Sequence, residues 1–160
     1  MDGFTLLELI LVMLIICTVL GMAAISLRGF FASRRTADAA AQMVALTQYA
    51  RTQATAEGRV YRVNLDTESG RYWLSAQEGG TFATVPSEFG RVFLLPEGTK
   101  ASWLEPSDTG STGFIPFYPD GRTLVAHIRL SGRQGETADV VCLSPAERFH
   151  VAMPSEGETP

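Results

Sequence analysis

The chain has 160 residues and a formal net charge of −4, with thirteen Lys and Arg against seventeen Asp and Glu. That length suits one domain of ordinary size rather than two. The acidic balance excludes a basic nucleic-acid coat protein, and two cysteines exclude a disulfide-rich secreted scaffold. The charge is unevenly spread: residues 1–27 carry only Asp2 and Glu8, residues 28–62 carry six Arg against Asp38 and Glu57, and the rest holds seven basic and thirteen acidic residues.

The front of the chain is apolar. Leu9 to Leu27 runs nineteen residues without a charge. Within it Leu9–Ile25, interrupted only by Thr18 and Gly21, reads as a membrane-spanning helix. About twenty apolar residues at a rise of ~1.5 Å cover the roughly 30 Å hydrocarbon core. The alternative is a removable secretory signal, which wants a cationic n-region and a shorter apolar core. Met1-Asp2-Gly3 supplies no cation, while Met22-Ala23-Ala24 keeps a cleavage site open. Glu8 stands out, because a carboxylate costs about 2.5–3.5 kcal/mol at the membrane centre and less near the surface. It can reach the headgroups or take a cationic partner. The first basic side chain is Arg28, so a nearer cation would be a new α-amino group, made by cleavage between Gly3 and Phe4, on this chain or on a neighbouring subunit. Cys17 and Cys142 are not expected to pair, since one lies inside the apolar run and the other far downstream.

No proline precedes Pro86, so nothing stops the helix at the end of the apolar run. Ala39, Met43, Leu46, Ala50 and Ala54 recur at helical spacing, flanked by Val44 and Tyr49, and Gly58 is a C-terminal stop. The spacing predicts a helix from about Phe4 to Glu57, on the order of 80 Å long. Residues 4–27 are its membrane and assembly half, and residues 28–58 pack on a head through a narrow Ala-rich stripe. Gly21 and Gly29 weaken it locally.

Beyond Gly58 the period changes to two. Tyr61, Val63 and Leu65 alternate with Arg62, Asn64 and Asp66, the pattern of a half-buried strand. Thr67-Glu68-Ser69-Gly70 is a turn, and residues 71–76 return as the partner strand. Further strand-like runs are 91–95, 101–104, 113–118, 123–131, 138–143 and 148–153. Pro96-Glu97-Gly98, Pro119-Asp120-Gly121 and Gly132-Arg133-Gln134-Gly135 separate several of them. The expectation is an α+β domain: a long N-terminal helix on a β-rich head, residues 59–153, of about eight mostly antiparallel strands in one or two sheets. Residues 154–160 read as a flexible acidic tail.

Chemistry-bearing residues are few. His127 and His150 lie in strand-like runs without metal-ligand spacing, and Cys142 reads as a small buried hydrophobe. Asp108 and Asp120 sit in turns outside any EF-hand pattern, so turn formation is preferred over cation binding for both. Nucleophile-elbow, zinc-protease and phosphate-loop motifs are missing from the sequence. Neither an enzyme nor a metal or cofactor site is expected.

Gly3-Phe4-Thr5-Leu6-Leu7-Glu8, set against an apolar helix, resembles the class III signal of type IV pilins and pseudopilins. The resemblance implies that a prepilin peptidase cuts after Gly3 and methylates Phe4, leaving residues 1–3 as the leader, and that Glu8 aids filament assembly. Leu46-x-x-x-Ala50-Arg51-x-x-Ala54-x-x-x-Gly58-x-Val60 is similar to the end of the helix and first strand in the GspH/FimT-type pseudopilins. So is Phe114-Ile115-Pro116-Phe117-Tyr118-Pro119-Asp120-Gly121 leading into residues 124–130.

What this implies is a minor pseudopilin of a type II secretion system: a low-copy structural subunit near the tip of a periplasmic pseudopilus. Its partners would be other minor pseudopilins, the major pseudopilin, prepilin peptidase and the inner membrane, crossed once with the head in the periplasm. Family leaders generally carry Lys or Arg, which Met1–Gly3 lacks. Arg28, Arg34 and Arg35 after the span would, by the positive-inside rule alone, hold the head in the cytoplasm.

The alternative within the resemblance is a FimT-like minor pilin of a type IV pilus acting in DNA uptake, where a basic C-terminal region is associated with DNA. Phosphate binding needs several clustered cations. Here Arg129, Arg133 and Arg148 are scattered and the tail carries Glu156 and Glu158, so no nucleic-acid partner is expected. A plain anchored domain outside any filament is the third reading.

Overall fold

The computed structural model describes residues 5–105 and 112–152, and for residues 22–32 the backbone alone. Gly3, Phe4, Asp108, the tail from residue 154 and the side chain of Arg28 lie outside the described residues. Helix α1 (Leu6–Glu57) is followed by strands β1 (Tyr61–Asp66), β2 (Arg71–Glu78) and β3 (Thr81–Thr84). A 3-10 turn (Glu88–Gly90) leads to β4 (Phe93–Leu94), β5 (Lys100–Glu105) and β6 (Thr112–Phe117). The chain continues through β7 (Ala126–Ser131), β8 (Thr137–Cys142) and β9 (His150–Ala152).

Both ends of α1 have local causes. The Thr5 hydroxyl accepts from the backbone N–H of Glu8 at 3.3 Å, satisfying one of the orphan donors of the first turn. Gly58 closes the other end in the left-handed region at φ 65°, its N–H donating to the Ala54 carbonyl. A Cβ is unfavourable in that conformation, which is why glycine stands there. The closure is fastened by side chains: Tyr61 donates its hydroxyl to Glu57 at 2.7 Å, and Arg59 reaches Glu57 at 2.6 Å and Glu78 at 3.1 Å. The hydrogen bonds from Tyr61 and then Arg59 hold the Glu57 carboxyl below its ordinary range.

Two antiparallel sheets receive the helix. The first has the order β3-β2-β1-β6, with β4 also pairing to β2. The second has the order β5-β7-β8-β9. Ala40, Met43 and Ala50 of α1 share one core with Leu74 and Ile115 of the first sheet and Leu130 and Val140 of the second. The predicted stripe Ala39, Met43, Leu46, Ala50 and Ala54 is buried throughout. Its small side chains let the sheets approach the helix closely. Tyr72 adds a polar tie, donating its hydroxyl to Gln42 of α1 at 2.9 Å while its ring stacks on Phe93. Burial pushes the Tyr72 phenol up to about 12.

Among the described residues there are nine strands rather than about eight. The added strand is β3, reached through Gly79 and Gly80, which have φ of 56° and 91°. Two successive positive φ values suit the two-residue hairpin turn that matches the twist of its flanking strands. The run 91–95 pairs only at Phe93 and Leu94. The run 123–131 enters its sheet at Ala126, because Thr123 is used elsewhere. Its N–H donates to Pro145, and its hydroxyl donates to Pro116 at 2.8 Å.

Candidate functional site

The described part of the front end presents apolar side chains to its surroundings. Residues 5–21 are exposed throughout, with Leu6 at 78% and Leu14 at 60%. No part of the described head covers them. A run of exposed large apolar residues is the kind of surface that a membrane or another protein covers. Among the described residues no helix is long and apolar enough to cross a membrane. The run Leu9–Ile25 passes at residue 22 into the portion described by backbone alone.

Glu8 occupies the third helical position after the Thr5 cap, the spacing of a capping box. A carboxylate in the first turn is favoured by the helix dipole, so Glu8 has a local structural role beside any cationic partner. The spacing Thr5-x-x-Glu8 carried that signal in the sequence. Gly3 and Phe4, where processing is expected, lie outside the described residues. Arg34 and Arg35 are exposed.

On the head, β7 and β8 build a polar network at their outward face. The register places Arg129 opposite Asp139. Arg129 donates twice to the Asp139 carboxylate, Nε at 2.9 Å and Nη2 at 2.8 Å, and His127 Nε2 lies 2.9 Å from the same group. Asp139 is buried. Burial by itself raises its carboxyl, but the hydrogen bonds from Arg129 and His127 outweigh this and hold it below the ordinary range. Planar two-point pairing of this kind is the strong form of a charge-assisted hydrogen bond. Sequence reasoning missed it. Counting outward from the Gly132–Gly135 turn sets Arg129 against Asp139, and that was the available signal.

The other singled-out residues have structural partners. Asp120 accepts from the Arg122 N–H at 2.9 Å and so forms its turn. His150 lies on the outer strand, 3.8 Å from Glu147. Cys142 is buried and Cys17 exposed, and both are free. Burial pushes the Cys142 thiol up, and the thiol donates to the Ser144 carbonyl at 3.2 Å. Arg51 of α1 donates to the carbonyls of Glu147 and Ala146 at 2.5 and 2.8 Å, fastening the segment before β9 to the helix. It lines a groove of about 730 Å³ together with Arg148 and Phe149. Arg133 lies 3.5 Å from Glu97. Among the described residues, no group of three or more His, Cys, Asp or Glu is placed to hold a metal ion.

This head, two small antiparallel sheets on one Ala-lined helix, has counterparts. A structure of the minor pseudopilin EpsH from the type 2 secretion system of Vibrio cholerae superposes with a TM-score of 0.63 at 12% identity, covering 76% of this chain and 99% of that one. A crystal structure of the same Vibrio cholerae pseudopilin gives 0.64 at 10% identity, covering 79% and 99%. At such identities the likeness is one of fold. No curated protein matches the sequence. The family model described as Type II transport protein GspH matches residues 39–146, from the buried stripe of α1 to the segment that Arg51 fastens. The chain belongs to the GspH family of type II transport proteins.

Proposed function

We propose that the chain is a minor pseudopilin of a type II secretion system, acting as a structural subunit near the tip of the pseudopilus. The observation that supports this reading is the pairing of a GspH-family head with a helix whose front residues are apolar and uncovered. In this reading residues 4–27 sit in the inner membrane before assembly, the head lies in the periplasm, and assembly moves the apolar residues from lipid into a helix bundle. Prepilin peptidase removes residues 1–3 and methylates Phe4. The Phe4 amine, on this chain or on a neighbour, pairs with Glu8 and offsets the cost of a carboxylate in lipid.

A clean deletion, assayed in parallel for exoprotein release and DNA uptake, tests the function. Lost release with intact uptake supports a secretion role. Lost uptake with normal release assigns the chain to a type IV pilus instead. Intact mass after exposure to prepilin peptidase tests the processing: a product without Met1–Gly3 and with one added methyl supports it, and an unchanged mass refutes it. Glu8→Ala is expected to reduce co-purification with the other pseudopilins by about tenfold or more while the head unfolds at its normal temperature. Unreduced co-purification would remove Glu8 from assembly.

A further inference from the structure

The outward face of the first sheet carries an aromatic cluster among its polar residues. On an antiparallel sheet with one side packed, the other side is normally polar. Here it carries Trp73 from β2, Phe82 from β3 and Phe114 from β6, grouped by register around Arg62 of β1. Phe114 is 47% exposed. The Arg62 guanidinium lies between two rings, with its central carbon 3.4 Å from the centroid of Phe82 and 4.1 Å from that of Phe114.

Ring contacts of this kind engage the guanidinium through its faces and leave its in-plane N–H donors for acceptors. Among the described residues Arg62 has no hydrogen-bond or ion-pair partner, and its Nε is buried with no acceptor. Arg129 on the second sheet shows the contrast, since its donors are met by Asp139. Leaving a buried donor unpaired is costly, and more so for a charged group.

We propose that this face is a docking surface centred on Arg62, and that its occupant is a carboxylate side chain on the head of a neighbouring pseudopilin. The chemistry selects that partner. The buried Nε is out of a partner's reach, but the two terminal Nη groups are not buried, and end-on they match a carboxylate in two-point geometry. Aromatic residues and arginine are also the types enriched at the centres of protein interfaces. The inference rests on the pseudopilin reading and adds which face of the head makes the contact and with what.

The test is binding of the full chain, purified in detergent, to each of the other pseudopilins of its own secretion system. Arg62→Gln is expected to weaken one of these associations by about tenfold or more, the scale of a lost charged pair at an interface. Thr84→Glu is the second variant. Thr84 is exposed, and Ser75 pairs with both Thr84 and Arg62 across the sheet. A carboxylate there supplies Arg62 with an acceptor from its own chain, so thermal stability should hold or rise while partner binding falls. Arg62→Glu should also lose binding, and one Asp→Arg or Glu→Arg change in the partner should restore it. Wild-type affinity in both Arg62→Gln and Thr84→Glu, with the head folded, overturns the docking surface and leaves the pseudopilin role standing. If Arg62→Gln fails to fold, Thr84→Glu decides alone. If the wild-type chain binds none of these pseudopilins, the role itself falls, and the docking surface with it.

Discussion

Met43→Ala is expected to destabilise the head by about 2–5 kcal/mol, the range for truncating a buried Met or Leu to Ala. Met43 is fully buried on α1, within the core shared by both sheets. Alanine is the better helix former, so local propensity works against the loss, and whatever is measured reports packing. Set against a domain stability of about 5–15 kcal/mol, this single change removes a large share. Urea unfolding of the full chain in detergent, followed by tryptophan fluorescence, measures it. A loss below about 1 kcal/mol would mean that the helix is not docked at this position. The neighbouring Ala50, also fully buried, should fail in the opposite sense. Ala50→Leu inserts volume where the sheets approach the helix, and overpacking typically costs about 1–3 kcal/mol.

Asp139→Ala should also be costly, through charge rather than volume. It removes the buried carboxylate that Arg129 and His127 share. Breaking a fully buried pair costs about 3–5 kcal/mol. The Arg129 side chain is 39% exposed, so water offsets part of this and about 1–3 kcal/mol is expected. Replacing both partners, Asp139→Leu with Arg129→Met, should recover some of the loss, because the desolvation cost of the pair is then removed along with its attraction.

The same carboxyl gives the head an acid dependence. Its folded-state pKa lies below that of the unfolded chain, so at low pH the unfolded state binds the extra proton and is favoured. The stabilisation is present above the ordinary Asp value of about 4 and is lost as pH falls through the depressed one. Unfolding midpoints measured from pH 6 down to pH 2 should fall more steeply for the wild type than for Asp139→Ala. Parallel curves would remove Asp139 as the cause.

What was legible in the sequence follows the range of each interaction. The buried stripe of α1 repeats at helical spacing, so Ala39 through Ala54 could be read locally. The alternation Tyr61, Val63, Leu65 and the turn before Arg71 likewise gave β1 and β2. Four-residue β3 carries too little pattern to register alone, although Gly79-Gly80 marked its hairpin. The run 91–95 reads as a longer strand than the two residues that pair, although Val92 and Leu94 are exposed, because apolar residues in a row report neither burial nor hydrogen bonding by themselves.

Longer-range features were out of reach. That β6 pairs with β1, while β5 before it and β7 after it belong to the other sheet, is written in no local segment. The Arg62 clamp takes its rings from β3 and β6, so it emerges only once both strands are placed beside β1 and β2. The front-end motif was legible in six consecutive residues. The structure adds the Thr5 cap, and with it a local reason for a glutamate at position 8.

The strand exchange bears on how the head withstands a pull. Chain leaves the second sheet after β5, supplies the edge of the first sheet as β6, and returns to the second as β7. The two sheets are thereby laced together by the backbone itself, as well as glued through their shared core. Neither can peel away as a separate lobe without drawing the other's strands with it. A tug on the head is therefore met by both sheets at once, and the expected mechanical signature is one rupture event, not two.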